Sequence, residues 1–212
     1  MQRPYNQTVF PRLYPILVPA RIGSGALDQV LEFARELVAG GATLIQLREK
    51  HACSREILRL ARELRRALPA EVRLILNDRA DLALAASLDG VHVGQDDLSP
   101  EAARRIIGTG RLLGVSTHNP EQLRAANESA ADYLAIGPVF PTLSKENPDP
   151  IIGLDGVKAA RALTEKPLVA IGGITLENCH LVISAGADSV AVISDLMPDP
   201  RKRTSDFLIK MR

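Results

Sequence analysis

Apolar residues gather into short runs at 13–18, 43–47, 72–76, 90–93, 112–115, 133–136, 168–171 and 189–193, eight in all and rich in Val, Ile and Leu. The runs are continuous rather than alternating, which predicts strands buried on both faces, as parallel strands covered by helices are. Between them the period changes. Leu27, Val30, Leu31, Ala34, Leu37 and Val38 recur at helical spacing, as do Ile57, Ala61, Leu64 and Leu68. Pro100 and Pro120 stand where first helical turns begin, Asn119 is placed to cap the helix at Pro120, and Gly40-Gly41 stops the first helix. Either Asp96 or Asp97 is expected to cap the helix at Pro100 if its carboxylate does not turn inward.

Strand and helix thus alternate along the whole chain, and eight such units favour closure into a (β/α)8 TIM barrel, because closing a parallel sheet removes both edges. A doubly wound open sheet is the alternative, but no G-x-G-x-x-G follows the first strand. No shift in composition marks a linker, so residues 1–212 are expected to form a single TIM-barrel domain. The longest irregular stretch, residues 140–152, is polar and Pro-rich and follows the sixth strand, a place suited to a lid.

In a parallel barrel all strand C-termini share one rim, so the polar residues just past each run form a set. They are Gln46, Arg48 and Lys50; Asn77 and Asp78; Gln95, Asp96 and Asp97; Ser116, Thr117 and His118; Thr142, Ser144 and Lys145; Gly172-Gly173; and Ser194. Arg48, Lys50 and Lys145 supply positive charge, the hydroxyls supply donors, and the glycines leave backbone N–H groups open to a phosphate. Asp78 and Asp97 form an acidic corner in the same rim. A magnesium ion bridging carboxylates and diphosphate oxygens explains why both signs gather there.

Blander readings compete with these. Asn77-Asp78 suits a turn and helix cap, and Gly172-Gly173 a tight turn without ligand. Arg48-Glu49-Lys50 could be a solvated loop, although Gln46 and Arg48, two apart on a strand, point the same way. His92 reads as a packed or hydrogen-bonded core residue, His118 as either a base or a helix-entry residue, and His51 and His180 as surface residues.

Composition narrows the class. A net charge of +1, three percent aromatics and no Trp argue against nucleic acid as a partner. No apolar stretch reaches membrane-spanning length, which argues against a membrane, and the polar start lacks a secretory core, so the expected location is cytoplasmic. Cys53 and Cys179 lie far apart and read as packing residues in a reducing compartment. Whether the chain forms a homo-oligomer is left open.

The strand-end strings also carry a resemblance. Gln46-Leu47-Arg48-Glu49-Lys50, Asn77-Asp78-Arg79, Gly90-Val91-His92-Val93-Gly94-Gln95-Asp96-Asp97, Gly114-Val115-Ser116-Thr117-His118, Gly137-Pro138-Val139-Phe140-Pro141-Thr142 with Lys145, and Ile171-Gly172-Gly173-Ile174-Thr175 are similar, in order, to the signatures of the thiamine phosphate synthase (thiamine-phosphate pyrophosphorylase) family. The resemblance implies a magnesium-dependent TIM-barrel transferase that joins hydroxymethylpyrimidine diphosphate to thiazole phosphate, giving thiamine phosphate and pyrophosphate. It implies that Gln46, Arg48, Lys50, Asn77, Ser116 and Lys145 hold the pyrimidine diphosphate, with Arg48, Lys50, Ser116 and Lys145 acting in catalysis. Asp78 and Asp97 would bind Mg2+, and Thr142, Ser144, Gly173, Ile193 and Ser194 would contact the thiazole phosphate.

The chain departs from the family at Asp195, where a small residue is usual; a carboxylate there opposes a phosphate unless it points away. Two other readings are a thiazole tautomerase-like isomerase, which would use a His in the strand-six string where this chain has none, and a non-catalytic thiazole phosphate-binding regulator.

Overall fold

The computed structural model of the chain describes residues 10–142 and 149–212. Eight parallel strands form a closed barrel in chain order: β1 (Leu13–Leu17), β2 (Leu44–Leu47), β3 (Arg73–Asn77), β4 (Gly90–Val93), β5 (Leu112–Thr117), β6 (Tyr133–Ile136), β7 (Leu168–Ile171) and β8 (Ser189–Val192). Each is followed by a helix: α1 (Leu27–Ala39), α2 (Ser54–Ala67), α3 (Ala80–Ala85), α4 (Pro100–Ile107), α5 (Pro120–Glu128), α6 (Gly153–Arg161), α7 (Cys179–Ser184) and α8 (Pro200–Lys210). The (β/α)8 barrel expected from the apolar runs is therefore the fold, and β8 pairs back onto β1. Among the described residues no helix is long and apolar enough to cross a membrane.

Local chemistry sets the helix ends. Pro120 opens α5, and Asn119 Oδ1 accepts from the Gln122 amide at 2.9 Å. Pro100 opens α4 in the same way, but its cap is Ser99, whose Oγ accepts from the Ala102 amide at 3.2 Å, and not Asp96 or Asp97. Ser99 directly precedes the proline and so holds the N-cap slot, while Asp97 Oδ2 turns back to accept from the Gly94 amide at 2.7 Å. Gly41 follows α1 at φ 105°, a conformation open to a residue without Cβ.

Alternation along the strands divides the side chains between two cores. Leu13, Leu17, Ile45, Leu47, Leu74, Leu76, Val91 and Val93 pack outward against the helices. Tyr14, Ile16, Leu44, Ile75, Tyr133, Ala135, Val169 and Ala191 fill the barrel together with Phe10, whose ring centroid lies 5.0 Å from that of Tyr133. The register sets Asn77 beside His92, His92 beside Gly114, and Gly114 beside Tyr133.

At the opposite end from the strand C-termini, one arrangement occurs three times among the described residues. Asp89, just before β4, accepts from the Leu74 amide at 2.8 Å and from Arg65 of α2 at 3.2 Å. Asp132, just before β6, accepts from the Leu113 amide at 2.8 Å and from Arg104 of α4 at 2.6 Å. Asp188, just before β8, accepts from the Leu168 amide at 2.8 Å and from Arg161 of α6 at 2.7 Å. Each carboxylate ties the start of one strand to an even-numbered helix.

Candidate active site

β3 ends at Asn77, and Asp78 follows it at φ 63°, a left-handed conformation in which a side-chain-bearing residue is uncommon. Its amide donates to the His92 carbonyl at 2.8 Å, which pins the turn to β4. The Asp78 carboxylate meets Lys50 Nζ at 3.2 Å and also lies within hydrogen-bonding reach of Asp97. Burial, and after it the nearness of Asp97, raises the Asp78 carboxyl above the usual carboxylate range, while Lys50 opposes the shift. The turn reading holds but the helix-cap reading does not, since Arg79 occupies the N-cap position of α3 and makes no side-chain cap bond. Asn77 Nδ2 is buried without a hydrogen-bond partner among the described residues, a donor available to a ligand.

Two facing carboxylates repel, and a divalent cation relieves them. Oxygen-only donors suit a hard ion such as magnesium, which keeps waters and substrate oxygens in its shell. Among the described residues no cluster of three or more His, Cys, Asp or Glu side chains could hold a metal, so a ligand or water would complete this seat.

Gln46, buried on β2, donates from Nε2 to Tyr14 Oη at 3.1 Å. Arg48, two residues on, is half-buried and has no ion-pair partner among the described residues. Its amide donates to the Leu17 carbonyl at 2.9 Å, so the strand pairing carries it to the rim. On β5, Ser116 Oγ lies 2.8 Å from His92 Nε2, and the Ser116 carbonyl accepts from Gln95 Nε2 at 2.6 Å. His92 is the hydrogen-bonded core residue expected; burial lowers its pKa to about 4, against the charge of Asp97, so the ring is neutral at physiological pH. Its Nδ1 lies 3.0 Å from Tyr133 Oη, and Tyr133 Oη lies 2.9 Å from Tyr14 Oη. Burial pushes both phenols well above their ordinary pKa.

His118 is a helix-entry residue: its amide donates to Gln122 Oε1 at 2.8 Å, and its Nδ1 lies 2.7 Å from the Gly137 carbonyl.

The glycines after β7 have a packing reason. Gly172 and Gly173 take φ 102° and 62°, and a Cβ on them would stand 2.6 Å from Pro138 Cα and 2.4 Å from the Pro141 carbonyl. The chain leaving β6 therefore lies directly on this turn, with the Phe140 amide donating to the Gly172 carbonyl at 3.0 Å. Thr142 stands at the described end of that segment; Ser144 and Lys145 lie outside the described residues.

After β8, Ile193 and Ser194 lead into a 3-10 turn, Ser194–Leu196, whose N-terminus is the kind of place a phosphate occupies. Asp195 does not oppose it, because its carboxylate turns to Arg203 Nη2 and to the Leu176 amide, the latter at 2.7 Å. Sequence reasoning missed Arg21, whose Nη1 donates to Ser194 Oγ at 3.2 Å from the short turn Pro19–Arg21 after β1. Its one legible signal was position past the first strand.

Comparison with known proteins gives the family of the chain. The family model described as thiamine monophosphate synthase matches residues 13–196. A thiamine-phosphate synthase of Koribacter versatilis is 63% identical over 199 residues, covering 93% of this chain and 94% of that protein. One from Moorella thermoacetica is 44% identical over 180 residues, covering 84% and 85%. The solved structure of a thiamine phosphate pyrophosphorylase from Pyrococcus furiosus superposes with a TM-score of 0.83 at 35% identity, covering 94% of this chain and 95% of that one.

Proposed function

The chain belongs to the thiamine monophosphate synthase family, and from that membership we propose how its barrel mouth works as a thiamine phosphate synthase. The reaction joins the methylene carbon of hydroxymethylpyrimidine diphosphate to the ring nitrogen of thiazole phosphate. The C–O bond to the diphosphate breaks, pyrophosphate leaves with the electron pair, and the electron-rich aminopyrimidine stabilises the carbocation until the thiazole nitrogen donates its lone pair. The protein need supply no nucleophile; it stabilises the charge growing on the leaving group and shields the cation from water.

Arg48, Lys50 and Ser116 face the leaving diphosphate, joined by Lys145, which follows β6 in the sequence. Gln46 and Asn77 hold the pyrimidine end, and the unsatisfied Asn77 amide supports that role. Thr142, Ser144, Gly173, Ile193 and Ser194 take the thiazole phosphate. Asp78 and Asp97 would hold Mg2+, which when bound neutralises diphosphate oxygens. The single observation that carries the reading is the convergence of Lys50, Asp78 and Asp97 from the ends of three strands onto one point of the rim. Such a soluble-substrate reaction, in a chain without a membrane-crossing helix among its described residues, fits a cytoplasmic setting.

Purified protein should release pyrophosphate only with both substrates and magnesium present, and EDTA should stop it. Turnover undiminished by EDTA would remove the metal from the reading. Isomerisation of the thiazole without pyrophosphate release would favour the tautomerase instead; the string Gly137-Pro138-Val139-Phe140-Pro141-Thr142, which has no His, argues against that outcome.

A further inference from the structure

Four hydrogen bonds cross the barrel interior in series: Gln46 Nε2 to Tyr14 Oη at 3.1 Å, Tyr14 Oη to Tyr133 Oη at 2.9 Å, Tyr133 Oη to His92 Nδ1 at 3.0 Å, and His92 Nε2 to Ser116 Oγ at 2.8 Å. Tyr14 and Tyr133 are 1% and 0% exposed, so each phenolic hydrogen needs an acceptor within the series. A hydroxyl has one hydrogen, and a neutral imidazole has one N–H. The bonds must therefore all run the same way. With the Gln46 amide nitrogen donating, Tyr14 donates to Tyr133, Tyr133 to His92 Nδ1, and His92 Nε2–H to Ser116 Oγ. The Ser116 hydrogen is then the donor left over, free to point out of the barrel. Run in reverse, the series would spend that hydrogen on His92 and turn the Ser116 lone pairs toward an anion.

Resting on the reading that Ser116 faces the leaving diphosphate, we propose that Tyr14, Tyr133 and His92 are positioning residues that fix His92 as the Nε2–H tautomer and hold the Ser116 hydroxyl as a donor to that diphosphate. A Ser–His contact of 2.8 Å resembles a nucleophile with its base. The Tyr133 bond assigns the opposite role: His92 Nδ1 is the acceptor, and its Nε2 gives a hydrogen to Ser116 rather than taking one. Gly114 makes the series possible. It sits in register between His92 and Tyr133, and a Cβ on it would stand 2.1 Å from Tyr133 Cζ and 2.4 Å from His92 Nδ1.

Nitrogen-15 NMR of the intact, histidine-labelled chain, with and without inorganic pyrophosphate and magnesium, reads the tautomer directly. His92 should carry its hydrogen on Nε2 in both states; a hydrogen on Nδ1 would overturn the proposal. Kinetics give an independent reading. Tyr133→Phe should lower kcat for pyrophosphate release by about tenfold, in the range of lost outer-shell partners, with little change in KM. In a Ser116→Ala background the same change should alter kcat less than about twofold, because its effect passes through the hydroxyl already removed. Equal losses in both backgrounds would mark Tyr133 as merely structural. If Tyr133→Phe does not fold, the wild-type tautomer decides alone. If the wild type releases no pyrophosphate, the functional reading fails while the tautomer still tests the series.

Discussion

Asp78 combines two unfavourable conditions at one position, a left-handed backbone at φ 63° and a carboxylate packed against another. Its raised pKa means that the folded state holds the proton more tightly than the unfolded chain does. The associated stability is present below the ordinary carboxylate pKa and is lost as pH rises through the raised value. Asp78→Asn removes that loss, and Asn tolerates the left-handed conformation as well as Asp does. Without divalent cations, the variant's Tm should match the wild type's in acid and exceed it at neutral pH. A difference that shrinks from acid to neutral pH would contradict this. At this scale Gln46, Arg48, Lys50, Asn77, Asp78, Asp97 and Ser116 were legible because parallel strands deliver their C-terminal residues to one rim. Tyr14 and Tyr133 were not, since an inward Tyr within a strand reads as ordinary core until its hydroxyl is seen to meet another. The cap of α4 was ambiguous because Asp96, Asp97 and Ser99 can all cap, and only the place of Ser99 directly before Pro100 separates it from the aspartates.

Among the elements, strands were legible to within about a residue or two because continuous apolar runs leave little freedom, and Pro at N1 fixed two helix starts. The three Arg–Asp ties were not, because each joins a helix to the residue just before the second strand that follows it. They lie at the end of the barrel where loss of an interaction should affect stability and spare the chemistry. Asp132→Asn weakens the bond to Arg104 and the bond to the Leu113 amide. Chemical denaturation should show a loss of about 1–3 kcal/mol, the worth of hydrogen bonds to a charged group in a partly buried site. The kcat of the folded variant should be unchanged; a parallel fall in kcat would show that the two ends of the barrel are coupled.

For the molecule as a whole, eight recurring units were enough to give a closed barrel, and closure is what brings residues as distant in sequence as Lys50 and Asp97 to one rim. The contribution of Arg21 was hidden because it depends on closure itself, the pairing of β1 with β8 that sets the turn after one beside the turn after the other. Crystals soaked with manganese, whose anomalous signal stands in for magnesium, and with inorganic pyrophosphate test the central claim most directly. The metal peak should fall between Asp78 and Asp97, with pyrophosphate oxygens against Arg48, Lys50 and Ser116. Pyrophosphate bound elsewhere, or a metal held away from both carboxylates, would contradict it.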